Sequence, residues 1–171
     1  MNEPVSTYLY ALAQISATFV GFSALITLLR ESLGEGVSAF EAWVTRAFIE
    51  LGFSVTAAAL TPTVLMLCKL DDALIWHLCS AAYGIFILIF ALSYPFRRRA
   101  VSGRKTPFYI HLDVALLLCV AAVLGWIAGH AVGPVTSGLY AASVTSVLFV
   151  GGIAYLHAFG MLIKRDRSAP R

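Results

Sequence analysis

Residues 43–69 read WVTRAFIELGFSVTAAALTPTVLMLCK. From Ala47 to Cys68 the stretch is almost wholly apolar. A helix needs roughly 20 such residues, at ~1.5 Å each, to cross the hydrocarbon core of a bilayer. Yet the stretch opens with Arg46 and Glu50 and carries Pro62 in its second half. Lipid does not solvate an ionised side chain, so neighbouring segments must shelter Glu50. Pro62 has no N–H to give the carbonyl of Ala58, so it should bend the helix. Thr56, Thr61 and Thr63 lie close enough to satisfy freed backbone groups.

The surrounding sequence has the same character. The chain has 171 residues, 60% of them hydrophobic and 12% charged, where a soluble domain carries about 25% charged residues. Mean hydropathy is +0.85. This composition points to a membrane protein and not to a larger soluble core. The positive charges gather in Arg97–Lys105 and Lys164–Arg171, both flanking apolar segments. Charge placed there sets membrane orientation, and it gives no reason to expect nucleic-acid binding.

Before the central stretch, Thr7–Leu29 reads as a first span. Its large side chains, among them Leu12, Phe19, Phe22 and Leu25, collect on one half and should face lipid. Ala13, Ala17 and Gly21 form a small-residue ladder on the other half, joined by Ser16, Ser23 and Thr27. Small residues let helices approach closely in lipid, so this half packs against protein. Its hydroxyls would alternatively line a wet pathway. Met1–Thr7 carries no Lys or Arg, so it lacks the basic start of a signal peptide, and the first span is expected to be retained. Gly34 and Gly36 break the next loop, and Ser38 with Glu41 has the spacing of a capping box. The second span then begins near Phe40 or Ala42.

After the Lys69–Asp72 turn, a third span is expected over Ala73–Phe96, with Trp76 and Tyr94 at the two interfaces and Ser80–Gly84 as a packing pair. A fourth covers Tyr109–Val132 and is ended by Pro134; Gly125, Gly129 and Gly133 form its packing ladder. A fifth covers Thr136–Ile163, with Gly138, Ala142 and Ser146 on one face. The expected fold is therefore all-α, a single-domain polytopic bundle of five transmembrane helices, oriented N-out and C-in because both basic clusters then lie inside. The localisation that follows is a bacterial-type inner membrane. Small-residue faces on several spans suggest a homo-oligomer in the bilayer.

In that topology Arg46, Glu50, His111, Asp113 and His157 reach a similar depth near the cytoplasmic side. Arg46 and Glu50 are four apart, one turn on a helix face. Three readings of this group stand: a structural ion pair near helix N-termini, where negative charge is favoured, an ion or proton site, or residues that never meet. His77 and His130, near the outer interface, are expected to be solvated. The three cysteines, Cys68, Cys79 and Cys119, read as packing residues. No metal spacing, nucleotide-binding glycine loop or nucleophile elbow is present, so no metal or other cofactor and no enzymatic activity are expected.

Gly21–Phe22, Arg46, Glu50, Leu60–Thr61–Pro62, Trp76 and Ser80 together resemble a broad group of small, uncharacterised bacterial integral membrane proteins. In these, a Gly-Phe helix is followed by a helix bearing an arginine and an acid. The resemblance covers about the first half of the chain and implies class without an activity. Ser16–Ala17 and Gly21–Phe22–Ser23 are also similar to the pore helix of Orai-type calcium channels. That helix ends in a filter glutamate, whereas this one meets Leu29, Arg30 and Glu31, so the pore assignment is not carried over. The functional expectation is an oligomeric ion channel or transport-type protein with a cytoplasm-side polar site. The alternative is a non-conducting scaffold or accessory subunit that contacts a cytoplasmic partner through Arg97, Arg98 and Arg99.

Overall fold

The computed structural model describes residues 3–32, 38–103, 107–130, 133 and 135–167, with backbone alone at 3, 30, 31 and 158–167. Gly34, Gly36, Arg104, Lys105, Val132, Pro134 and the tail after Arg167 lie outside the described residues. Five helices follow in order: α1 (Glu3–Ser32), α2 (Ala39–Leu67), α3 (Asp72–Ser102), α4 (Phe108–Gly129) and α5 (Thr136–Arg167). Each contains a stretch long and apolar enough to cross a membrane. No strand occurs among the described residues. The all-α, five-span reading of the sequence holds.

Local chemistry sets the helix ends. Ser38 Oγ accepts from Glu41 N at 3.2 Å while Ser38 N donates to Glu41 Oε2 at 2.9 Å, the reciprocal capping box read from the sequence. Asp71 accepts from Ala73 N and starts α3. Lys69, at φ +58°, makes the reversal between α2 and α3. α3 continues past the expected end at Phe96 to Ser102, where Gly103 adopts φ +60° and donates to Arg99 O.

Pro62 lies inside α2 without ending it. The carbonyl it leaves free, Ala58 O, accepts from the Tyr140 hydroxyl of α5 at 2.8 Å. Both Pro62 and Tyr140 are fully buried. The compensation thus comes from another helix. Of the nearby threonines, Thr56 and Thr61 donate to the carbonyls of Gly52 and Ala57 in their own helix. Trp76, expected at an interface, is instead buried against Tyr140 with ring centroids 5.5 Å apart.

Helix packing follows the small residues, though not all the expected ones. α1 lies along α2, where Ser16 donates to Gly52 O at 2.8 Å and a Cβ on Gly52 would overlap Val20. α3 lies along α4, where a Cβ on Gly84 would sit 3.2 Å from Leu124 Cβ. α5 fits between α2 and α4, with Gly151 beneath Leu51. The Ser80–Gly84 pair is buried, as expected. Gly125, Gly129 and Gly133 are exposed with nothing near the position of a Cβ, and Gly138, Ala142 and Ser146 are exposed too. On α1, Ala13 is buried but Ala17 and Gly21 face outward. These ladders therefore do not pack the chain on itself. α2 and α3, although consecutive, contact each other less than α3 contacts α4.

Candidate functional site

The charged cluster forms where α2 and α3 meet. Arg46 Nε donates to Glu50 Oε1 at 2.9 Å along one face of α2. From α3, Arg97 Nη1 donates to Glu50 Oε2 at 3.2 Å, with Nη2 at 3.3–3.4 Å from both carboxylate oxygens. Helix geometry explains this second contact. Side chains tilt toward the N-terminus of their own helix. The short turn makes α2 and α3 antiparallel, so Glu50 and Arg97 lean toward one another along the helix axes. Their side chains are 32% and 39% exposed, and that of Arg46 is 75% exposed.

Arg97 was expected in a basic patch turned to a cytoplasmic partner, and it is instead joined to Glu50. Arg98 is 6% exposed, with its guanidinium 5.6 Å from the Phe40 ring centroid. Arg99, third in that patch, is exposed and also engaged in an interaction. Phe40, Trp43 and Tyr94 continue as tilted ring pairs with centroids 6.0 and 5.1 Å apart. This aromatic group packs the ends of α2 and α3 beside the charged cluster.

The remaining candidates divide. Asp113, half-buried, borders a cavity of about 50 Å³ together with Phe48, Tyr94 and Tyr155. That is room for a few waters. No hydrogen bond or ion pair joins Asp113 to Glu50 among the described residues. His157 stacks on Tyr109 at 5.4 Å, and its Nδ1 lies 3.0 Å from Ile153 O. His111 is exposed and turns to Pro107 O. Of the five residues expected at one depth, the fold joins Arg46 to Glu50 and leaves His111, Asp113 and His157 without a hydrogen bond or ion pair to them among the described residues. His77, expected in solvent, reaches across to Ala128 O of α4 at 3.0 Å. His130 is exposed, as expected, and stacks on Trp126. On α1, Ser16 is committed to Gly52 O, Ser23 donates to Phe19 O, Thr27 donates to Ser23 O, and Gly21 is exposed. Cys79 is buried, whereas Cys68 and Cys119 are exposed on the apolar surface.

Between α2 and α3 runs a groove of about 840 Å³. Glu50 and Arg97 close one end, and Leu65 and Leu78 mark the other. Ala57, Ala58 and Ala82 give its walls too little side chain to fill the gap, and Tyr140 forms the floor. Tyr83, 6% exposed, borders the groove with its hydroxyl beside Ser54 and without a well-formed hydrogen bond among the described residues. A large, mostly apolar concavity with a few polar groups is the usual form of a ligand site. Sequence reading missed it, because a gap between helices depends on which faces meet. Among the described residues, no group of three His, Cys, Asp or Glu could hold a metal ion.

No family model, curated protein or solved structure matches the chain. The fold itself points to the class, a multi-pass membrane protein, through five helices among the described residues that are each long and apolar enough to span.

Proposed function

We propose that this is a membrane-embedded, transport-type protein whose ligand is an amphiphile taken laterally from the bilayer. The observation that carries this reading is the 840 Å³ groove between α2 and α3, closed at one end by the Glu50–Arg97 bridge. The ligand's apolar part lies along the alanine-lined walls and its polar end meets Arg46, Glu50 and Arg97. With both basic segments inside, the chain is N-out and C-in, and the charged end of the groove faces the cytoplasm. A bacterial inner membrane is the setting we infer. The outward faces around Gly125 and Gly129 and around Gly138 and Ala142 are where a second copy would pack.

The scaffold reading has less to stand on, since Arg97 and Arg98 are turned into the bundle. An ion pathway along α1 has less still, because Ser16, Ser23 and Thr27 all donate to backbone carbonyls. The test is photolabelling in lipid nanodiscs with a diazirine-bearing long-chain alcohol, followed by peptide mapping. The label is expected on residues 53–65 and 78–90, and Ala57→Trp should remove it from both. Labelling spread evenly over every lipid-facing helix, Phe19 and Phe149 included, would overturn the proposal.

A further inference from the structure

The amphiphile reading leaves the polar end of the ligand unspecified, and the groove's own chemistry narrows it. Arg97 on the groove and Arg46, exposed just outside its lining, bring two positive charges to the one carboxylate of Glu50. The cluster therefore carries one uncompensated positive charge. Each guanidinium has five N–H donors. Arg46 gives only its Nε–H to Glu50, which leaves its terminal amino groups without a partner among the described residues. Guanidinium groups bind phosphate oxygens through paired donors.

A second donor lies deeper. Trp43 meets Tyr94 across the two helices, so their antiparallel register sets Ser54 level with Tyr83. Ser54 is one turn, about 6 Å, past Glu50. There the Tyr83 hydroxyl is buried on the groove wall beside Ser54 without a well-formed hydrogen bond, while Ser54 Oγ donates to Leu51 O. A buried donor left unpaired is unfavourable, so an acceptor at that depth is to be expected. Below it the walls from Ala57 to Leu65 run for about 12 Å and are apolar but for Thr61, whose hydroxyl donates to Ala57 O. From the charged end inward, the groove thus presents an anion site, a lone hydroxyl donor and an apolar channel. A glycerophospholipid presents the matching order of phosphate, ester carbonyl and acyl chain.

Resting on the amphiphile reading, we propose that the groove binds a glycerophospholipid of single negative charge. Its phosphate lies between Arg46 and Arg97, an ester carbonyl accepts from Tyr83, and one acyl chain runs toward Leu65. The acyl chain gains little by leaving other chains for the groove, because lipid tails are as apolar as the walls. Selectivity over bulk lipid therefore comes from the two arginines and the tyrosine.

The experiment is competition against the photoreactive alcohol in detergent micelles. Phosphatidylglycerol should displace it at about tenfold lower concentration than diacylglycerol, which lacks the phosphate. Arg46→Gln with Arg97→Gln should erase that advantage, and Tyr83→Phe should weaken both competitors about threefold. Glycerol 3-phosphate, which lacks the chains, should not displace the label. Ala57→Trp leaves every charge in place and fills the groove, so direct binding of a fluorescent phosphatidylglycerol, read without the alcohol, must weaken in it even if the arginine variant folds poorly. If the alcohol labels the groove but phosphatidylglycerol and diacylglycerol compete equally, the phospholipid proposal fails and the amphiphile reading stands. Equal competition by phosphatidylethanolamine, or displacement by glycerol 3-phosphate, also overturns it. Failure of the alcohol to label the groove removes both.

Discussion

α3 meets α4 on one side and α2 on the other, and the two seams differ. Against α4 it packs through Gly84, so closely that a Cβ there would press on Leu124. Against α2 it leaves a groove of about 840 Å³, bridged at one end by Arg97 and Glu50. The difference lies in what fills the space. Gly84 lets the α4 backbone approach, whereas Ala57, Ala58 and Ala82 face one another across a gap that Tyr140 floors without closing. In lipid no hydrophobic force pulls helices together, so a seam lacking close contacts is held by its polar ones.

The first contrast breaks the bridge. Glu50→Leu leaves Arg97 facing an apolar groove without its carboxylate. An unpaired arginine inside a membrane costs about 2.5–3.5 kcal/mol at the helix centre on insertion scales, and less toward an interface. Thermal unfolding in micelles should show a loss of about 2 kcal/mol, largely recovered by adding Arg97→Leu. An equal loss in the single and double variants would mean that the bridge does not hold this seam.

The next contrast sets the seams directly against each other. Gly84→Leu must push α4 away and should cost about 1–3 kcal/mol, the usual range for overpacking. Ala57→Leu adds similar bulk to an open groove and should cost under about 0.5 kcal/mol. If both cost the same, the groove is closed in the membrane.

The floor of the open seam gives a smaller and sharper test. Tyr140→Phe strands Ala58 O, a loss of about 1–2 kcal/mol. Pro62→Ala restores the N–H that α2 lacks, so in that background Tyr140→Phe should cost little. The double-mutant cycle should give a coupling near 1 kcal/mol. Additive effects would show that the tyrosine hydroxyl does not replace the missing helical hydrogen bond.

These contrasts also mark what a sequence can carry. The spans and the Ser38–Glu41 box were legible because they depend on neighbours along one helix. The Arg46–Glu50 pair was legible for the same reason, as a four-residue spacing. Arg97 was not, because its partner depends on how far α3 slides along α2. The glycine ladder on α4 was legible as a small face, but spacing on one helix does not say whether a neighbour occupies that face. Gly52, outside any ladder singled out in the sequence, makes one of the closest approaches. Tyr140 gave a faint signal, a tyrosine deep in an apolar span, whose hydroxyl needed an acceptor that only the fold identifies.

The last contrast concerns the seam between α1 and α2, where two sequence readings, dry packing and a wet hydroxyl path, diverge in a measurable way. Ser16 is fully buried, and its hydroxyl donates to Gly52 O, the carbonyl of the residue that lets α1 approach. Ser16→Ala removes one hydrogen bond and should cost about 1 kcal/mol. Ser16→Cys should resist a membrane-impermeant thiol reagent applied from either side. In the same protein, Arg46→Cys, at the exposed end of the open seam, should react readily. The native cysteines must first be changed to Ala or Ser, because Cys68 and Cys119 are exposed. Rapid modification at Ser16→Cys would place water along α1 and return the hydroxyl face to consideration as a pathway. Protection there with reaction at Arg46→Cys would leave the α2–α3 seam as the place where this bundle opens to a ligand.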